Sequence, residues 1–149
     1  MQTAHHDETD YLHWLQTQVN HLRTGQLERL DRKQLIEELE GMSRSERRQL
    51  RNRLIVLMMH LLKWQYQPEK RSRSWSVTII TQRNDIKLLL RESPSLKPTL
   101  PMAFAEIYPR ARQEAADETG LPLSTFPETP PLTLEQVLNE DYWPEPGNH

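Results

Sequence analysis

The chain of 149 residues contains no cysteine. A disulfide framework, a thiolate nucleophile and Cys-ligated zinc or iron–sulfur are therefore excluded. Glycine is nearly as scarce, at four residues, and neither GxxxxGK nor GxGxxG occurs, so no glycine-rich loop is available to cradle a phosphate. Proline is absent before Pro68, whereas ten of the eleven lie beyond residue 90. The first half is thus free to form long helices, and the second must be broken into shorter pieces. Long apolar runs are missing as well: the longest, Leu54 to Leu62, is interrupted by His60 and is too short to span a bilayer. The first ten residues are polar and acidic, unlike a signal peptide. These absences lead us to expect a soluble, cytoplasmic protein without membrane contact.

What is present is helical periodicity. Asp7 or Thr9 can cap a first helix with an apolar face of Leu12, Leu15, Val19 and Leu22, widened by Tyr11 and Trp14 and stopped at Gly25. Asp31 can cap the next, whose stripe is Leu35, Ile36, Leu39 and Met42. The pattern resumes at Leu50, Leu54, Leu57, Met58 and Leu61, and Gly41 leaves open whether residues 31–66 form one helix or two. Ser72 or Ser74 can cap a helix carrying Trp75, Ile79, Ile86, Leu89 and Leu90. Thr99 opens another, with Pro101 in its first turn, Phe104, Ile107, Ala111 and Ala115 facing inward, a kink expected at Pro109 and a stop at Gly120. After a Pro-rich connector, Thr133 and Gln136 form a capping box for a short helix through Leu138. No alternating strand pattern with hairpin turns is found. The expected fold is all-α: a compact single-domain bundle of about five to six helices with a Pro-rich C-terminal segment. Its expected extent is 11–145, after a mobile N-terminal segment 1–10 and before a tail 146–149.

The formal net charge of -2 conceals a division. Residues 1–40 carry -4, residues 41–75 carry +7, residues 76–105 carry +2 and residues 106–149 carry -7. A basic middle lies between acidic ends, and it can be neutralised by an anionic partner or by the rest of the same chain.

Several stretches are distinctive: Leu35 to Glu46 (LIEELEGMSRSE), Leu57 to Glu69 (LMMHLLKWQYQPE) running on into Arg71 to Trp75, Asp117 to Pro122 (DETGLP), Phe126-Pro127, and Leu134 to Leu138 ahead of Trp143-Pro144. Together they resemble the bacterial domain of unknown function 29 family, roughly from Tyr11 to Glu145. The resemblance implies a compact helical domain and carries no assigned reaction. Pro109 departs from the family pattern, which continues a helix there without proline.

The candidate ligand site is the segment in which basic and aromatic residues alternate: Lys63, Trp64, Tyr66, Arg71, Arg73, Ser74 and Trp75, with Lys70 and Ser72 among them. Arginine and serine at a helix start suit a phosphate or carboxylate, and an exposed Trp or Tyr stacks on a base. Equally, both Trp serve as core anchors and the arginines pair within the chain. A weaker constellation sets His60 against Glu37, Glu38 or Glu40, a metal site or a proton-transfer pair if two antiparallel helices bring them together. The bland counterpart is a buried histidine bonded to a neighbouring Glu, and neither HExxH nor ExxH spacing is present. Asp117 and Glu118 read as a solvated face rather than an acid–base pair. Ser43, Ser45, Ser72 and Ser74 lack GxSxG and SxxK contexts. His5 and His6 are terminal, and His13 and His21 read as surface positions. The favoured reading is therefore a non-catalytic helical protein-interaction module, self-associating or binding other proteins, without a cofactor. The alternative is nucleic-acid or phosphorylated-ligand binding through 63–75.

Overall fold

The computed structural model describes residues 8–147. The expectations placed on His5, His6 and Asp7, and on residues 1–7 and 148–149 of the terminal segments, lie outside the described residues, whereas Glu8, Thr9 and Asp10 belong to the first helix. Among the described residues there are five α-helices and no strand: α1 (Glu8–Arg23), α2 (Arg32–Tyr66), α3 (Arg73–Glu92), α4 (Leu100–Thr119) and α5 (Leu134–Leu138). Short 3-10 turns join them at Leu27–Arg29, Pro68–Lys70, Pro94–Thr99 and Leu123–Thr125. No helix is long and apolar enough to cross a membrane. The chain divides into two units, Met1–Glu46 and Arg47–His149, and α2 supplies its first half to one and its second half to the other. The question left open over 31–66 resolves to one continuous helix through Gly41.

In the N-terminal unit, α1 and the start of α2 form an antiparallel hairpin. Gly25 (φ +75°) ends α1 in a left-handed turn, with Gly25 N–H donating to Leu22 O at 3.2 Å and Gln26 N–H to His21 O at 2.8 Å. That pair of bonds satisfies two terminal carbonyls, a geometry glycine adopts without steric cost. Asp31 caps α2, as expected, by accepting Gln34 N–H at 3.4 Å. Its other carboxylate oxygen accepts Trp14 Nε1–H at 3.2 Å, and its backbone N–H donates to Gln18 Oε1 at 2.8 Å.

In the C-terminal unit the core is centred on the second half of α2, where Leu54, Leu57, Met58, Leu61 and Leu62 are fully buried. Ile79, Ile86, Leu89 and Leu90 of α3 join it, as do Phe104, Ile107, Ala111 and Ala115 of α4. The start of α3 is capped by Ser72 Oγ, which accepts Trp75 N–H at 3.2 Å. Helix α4 persists through Pro109 as one element. Proline there removes the N–H that Ala105 O would accept, but Ala105 and Pro109 both face solvent. Gly120 (φ +73°) closes α4 through its N–H to Ala116 O at 2.9 Å.

The Pro-rich connector is pinned from α4. Tyr108 O–H donates to Pro127 O at 2.6 Å, and Arg112 Nε–H donates to Phe126 O at 2.9 Å. Burial pushes the Tyr108 phenol up to about 12. The capping box of α5 is complete, with Gln136 N–H to Thr133 Oγ1 at 3.1 Å and Thr133 N–H to Gln136 Oε1 at 2.9 Å.

Replacing Leu57, which has no exposed surface, by alanine is expected to cost about 2–5 kcal/mol in urea unfolding. Leu88→Ala, at a side chain 49% exposed on α3, is expected to shift stability by no more than about 0.5 kcal/mol.

Candidate functional site

The segment 63–75 spans the end of α2, a 3-10 turn and the start of α3, and most of its chemistry is turned inward. Lys63 is 6% exposed. Its stem lies among core residues while Nζ reaches Glu118 Oε1 at 3.1 Å and sits 4.7 Å from the centre of the Trp75 ring. Trp64 packs against Trp143 with ring centres 4.8 Å apart, and Tyr66 meets Phe126 edge-on at 5.5 Å. Arg71 stacks on Trp64, its Cζ 4.8 Å from the ring centre, while Nε–H donates to Trp64 O at 2.8 Å and Nη2 to Pro144 O at 3.4 Å.

The last described residues run back over this end of α2. Gly147, within the stretch read as a tail, donates its N–H to Gln65 O at 2.7 Å and lies flat against the Tyr66 ring. A Cβ at Gly147 would stand 2.5 Å from Tyr66 Cε1, so this approach requires glycine. Arg73 and Ser74 are exposed, and Arg73 forms no ion pair among the described residues. The structure thus gathers Lys63, Trp64, Tyr66, Arg71 and Trp75 around internal partners. It leaves Arg73 and Ser74 at the surface.

Glu37, Glu38 and Glu40 belong to the N-terminal unit and His60 to the C-terminal unit, and all four lie on the one helix α2 rather than on two. His60 Nδ1 instead pairs with Val56 O at 2.8 Å, and Glu38 accepts the Tyr11 hydroxyl at 2.7 Å. Burial holds the imidazole below its usual value, assisted by nearby Lys63 and opposed by the Val56 carbonyl and Glu118. Among the described residues no three His, Asp or Glu side chains converge as a metal site.

Sequence reasoning missed Arg83. It is 2% exposed, and it occupies a core position of α3 between Ile79 and Ile86, which is the signal that could have found it. Nε–H donates to Val137 O at 2.8 Å and Nη2 to Gln136 O at 3.2 Å, both at the end of α5. Cζ lies 5.6 Å from the centre of the Trp143 ring, and Nη1 is buried without a hydrogen-bond partner among the described residues. Burial lowers this guanidinium from its ordinary value, countered by Glu140 and Tyr142.

The distinctive stretches Leu35 to Glu46 and Leu57 to Trp75 lie on α2 and the start of α3, the elements that organise both units. A family model described as "Domain of unknown function DUF29" matches residues 7–143. The chain belongs to the DUF29 family. No curated protein and no solved structure matches it.

The second surface of this DUF29 chain is apolar and lies on the N-terminal hairpin. The stripes expected to face a core are largely uncovered: Leu12, Val19 and Leu22 on α1 and Ile36, Leu39 and Met42 on α2 are 45–65% exposed, with Leu15 and Leu35 half-buried. The helices face each other through other residues, Tyr11, Trp14 and Gln18 on α1 and Asp31, Gln34 and Glu38 on α2.

Leu12, Leu15 and Val19 each directly follow a facing residue, as do Leu35 and Leu39. One residue is a rotation of about 100°. Tyr11 contacts Glu38 and Gln18 contacts Asp31, so the helices are antiparallel. Seen from one end, the antiparallel helices advance in opposite senses, so a one-residue step along each carries both stripes to the same side of the hairpin. The result is one two-helix apolar face.

His60 yields a prediction of sign. A group whose pKa is lower folded than unfolded stabilises the fold above the unfolded value near 6.5 and loses that contribution as pH falls through the folded value. Thermal melts from pH 8 to pH 4 are expected to show a Tm advantage of the wild type over His60→Gln that declines below pH 6.5. A constant difference across that range would contradict the assignment.

Proposed function

We propose that this protein is a non-catalytic helical interaction module that self-associates through its N-terminal hairpin, face to face with the hairpin of a second copy. The observation that carries this reading is the two-helix apolar face of Leu12, Leu15, Val19, Leu22, Leu35, Leu39 and Met42. Contiguous apolar surface on a folded chain marks an interaction site.

The second copy is the occupant because of shape. A hairpin with both stripes on one side is half of a four-helix bundle, and a two-fold axis lets such a face serve as its own complement. Magnitudes support it too. Full burial of a large aliphatic side chain is worth about 1.5–3 kcal/mol. Seven side chains with about half that surface left give a gross gain of roughly 5–10 kcal/mol, comparable with the cost of association of about 4–15 kcal/mol. A reversible dimer fits that balance.

The alternative, nucleic acid or a phosphorylated ligand at 63–75, draws support from Arg73 and Ser74, which remain exposed. Its other candidate residues have partners inside the chain.

Analytical ultracentrifugation is expected to show a dimer at high micromolar concentration that persists in molar salt. Leu22→Glu with Leu39→Glu should yield a monomer of unchanged helix content. A wild type that stays monomeric under those conditions overturns the reading. Dimerisation that vanishes with salt would instead assign association to the charged segments.

A further inference from the structure

A cavity of about 280 Å³ opens in the C-terminal unit, and every charged side chain lining it is basic: Arg83, Lys87 and Arg91 from α3 and Lys97 from the 3-10 turn that follows. Its apolar lining is Ile86, Leu90 and Leu138. Five of the seven residues come from one face of α3, at spacings of three and four, so the cations and the aliphatics alternate along a single wall. No carboxylate lines it.

From this arrangement we propose that the cavity binds a small amphipathic anion, a carboxylate or phosphate head on a short apolar tail. This site is separate from the N-terminal hairpin and does not depend on self-association. A tail in contact with Ile86, Leu90 and Leu138 places its head among cations with unequal commitments. Lys87 is held by Glu140 in an ion pair. Arg91 and Lys97 are exposed and have no ion pair among the described residues, which leaves them to meet the head.

Arg83 supplies the second, independent observation. Its guanidinium is almost wholly buried at the cavity wall, balanced by two carbonyls and an aromatic face, and Nη1 has no partner among the described residues. A fixed, desolvated cation raises the local potential for an anion more than a hydrated surface lysine does. The cavity is at the small end of ligand sites, which limits the tail to a short chain or a single ring.

Isothermal titration with octanoate, hexyl phosphate, octanol and inorganic phosphate tests the proposal, with intrinsic tryptophan fluorescence as a second readout because the Trp143 ring adjoins Arg83. The expected result is saturable binding of octanoate or hexyl phosphate, weakened by added salt and at least tenfold tighter than octanol or inorganic phosphate. The tighter of the two anions identifies the head. Arg91→Ala with Lys97→Ala, both exposed positions, should keep the helical circular-dichroism spectrum and lose at least tenfold in affinity. The proposal is overturned if neither amphipathic anion binds at millimolar concentration, if octanol binds equally well, or if the double variant binds undiminished.

Discussion

From Leu54 to Tyr66 helix α2 is buried on nearly every side, and the C-terminal unit is organised by that constraint. A helix that is apolar all round has to be covered all round. Leu50, Leu54, Leu57, Met58, Leu61 and Leu62 face the core, yet Ile55 and Met59 are buried as well, so a single partner helix would not suffice. Contacts from α3 and α4 reach this half of α2 through Asp85 and Glu106, and the C-terminal run adds Trp143 and Gly147. That last layer explains why a stretch so rich in proline is ordered. It makes few backbone bonds of its own, and Arg71 between α2 and α3, Arg83 of α3, and Tyr108 and Arg112 of α4 supply donors its carbonyls accept.

Charge is handled by the same logic. The basic middle is balanced in part by carboxylates later in the chain, with Arg51 on Glu106, Arg53 on Asp85 and Lys63 on Glu118. Two arginines are held by carbonyls and aromatic faces instead: the half-buried Arg71 lies on Trp64 with Nη2 donating to Pro144 O, and the buried Arg83 rests between the end of α5 and Trp143. A buried cation held in this way avoids the cost of desolvating a second charge. Arg71 and Arg83 act as staples between distant segments, whereas Arg73 stays exposed. Among the described residues lining the basic cavity, Arg91 and Lys97 are the exposed cations without an ion pair.

Much of the architecture was legible in local signals. Gly25, Asp31, Ser72, Gly120 and the pair Thr133–Gln136 each punctuate a helix where their backbone chemistry suggests, because capping involves residues only a few positions apart. The apolar periodicity of α2, α3 and α4 identified the core of the C-terminal unit. The candidate site was less readable. Alternating basic and aromatic residues look alike whether they face solvent or pair inward, and the deciding partners, Glu118, Trp143 and Pro144, lie 55 or more residues away from Lys63. Arg83 was obscured for a related reason, since periodicity assigns arginine to the surface unless something distant accepts its hydrogens.

The N-terminal hairpin reverses the usual preference. Its helices meet through Trp14, Gln18, Asp31, Tyr11 and Glu38, which are joined by hydrogen bonds, while its aliphatic residues point away. A two-helix unit selected only for its own stability would place the leucines between its helices, where burial is worth most. Polar contacts between helices contribute less free energy, but they fix register, because a shifted pairing leaves Asp31 or Gln18 unsatisfied. The hairpin's polar residues thus define its geometry and its hydrophobic surface stays exposed, as the proposed self-association needs. That division of labour is what a face shaped for docking requires, and a face used only for folding has no need of it.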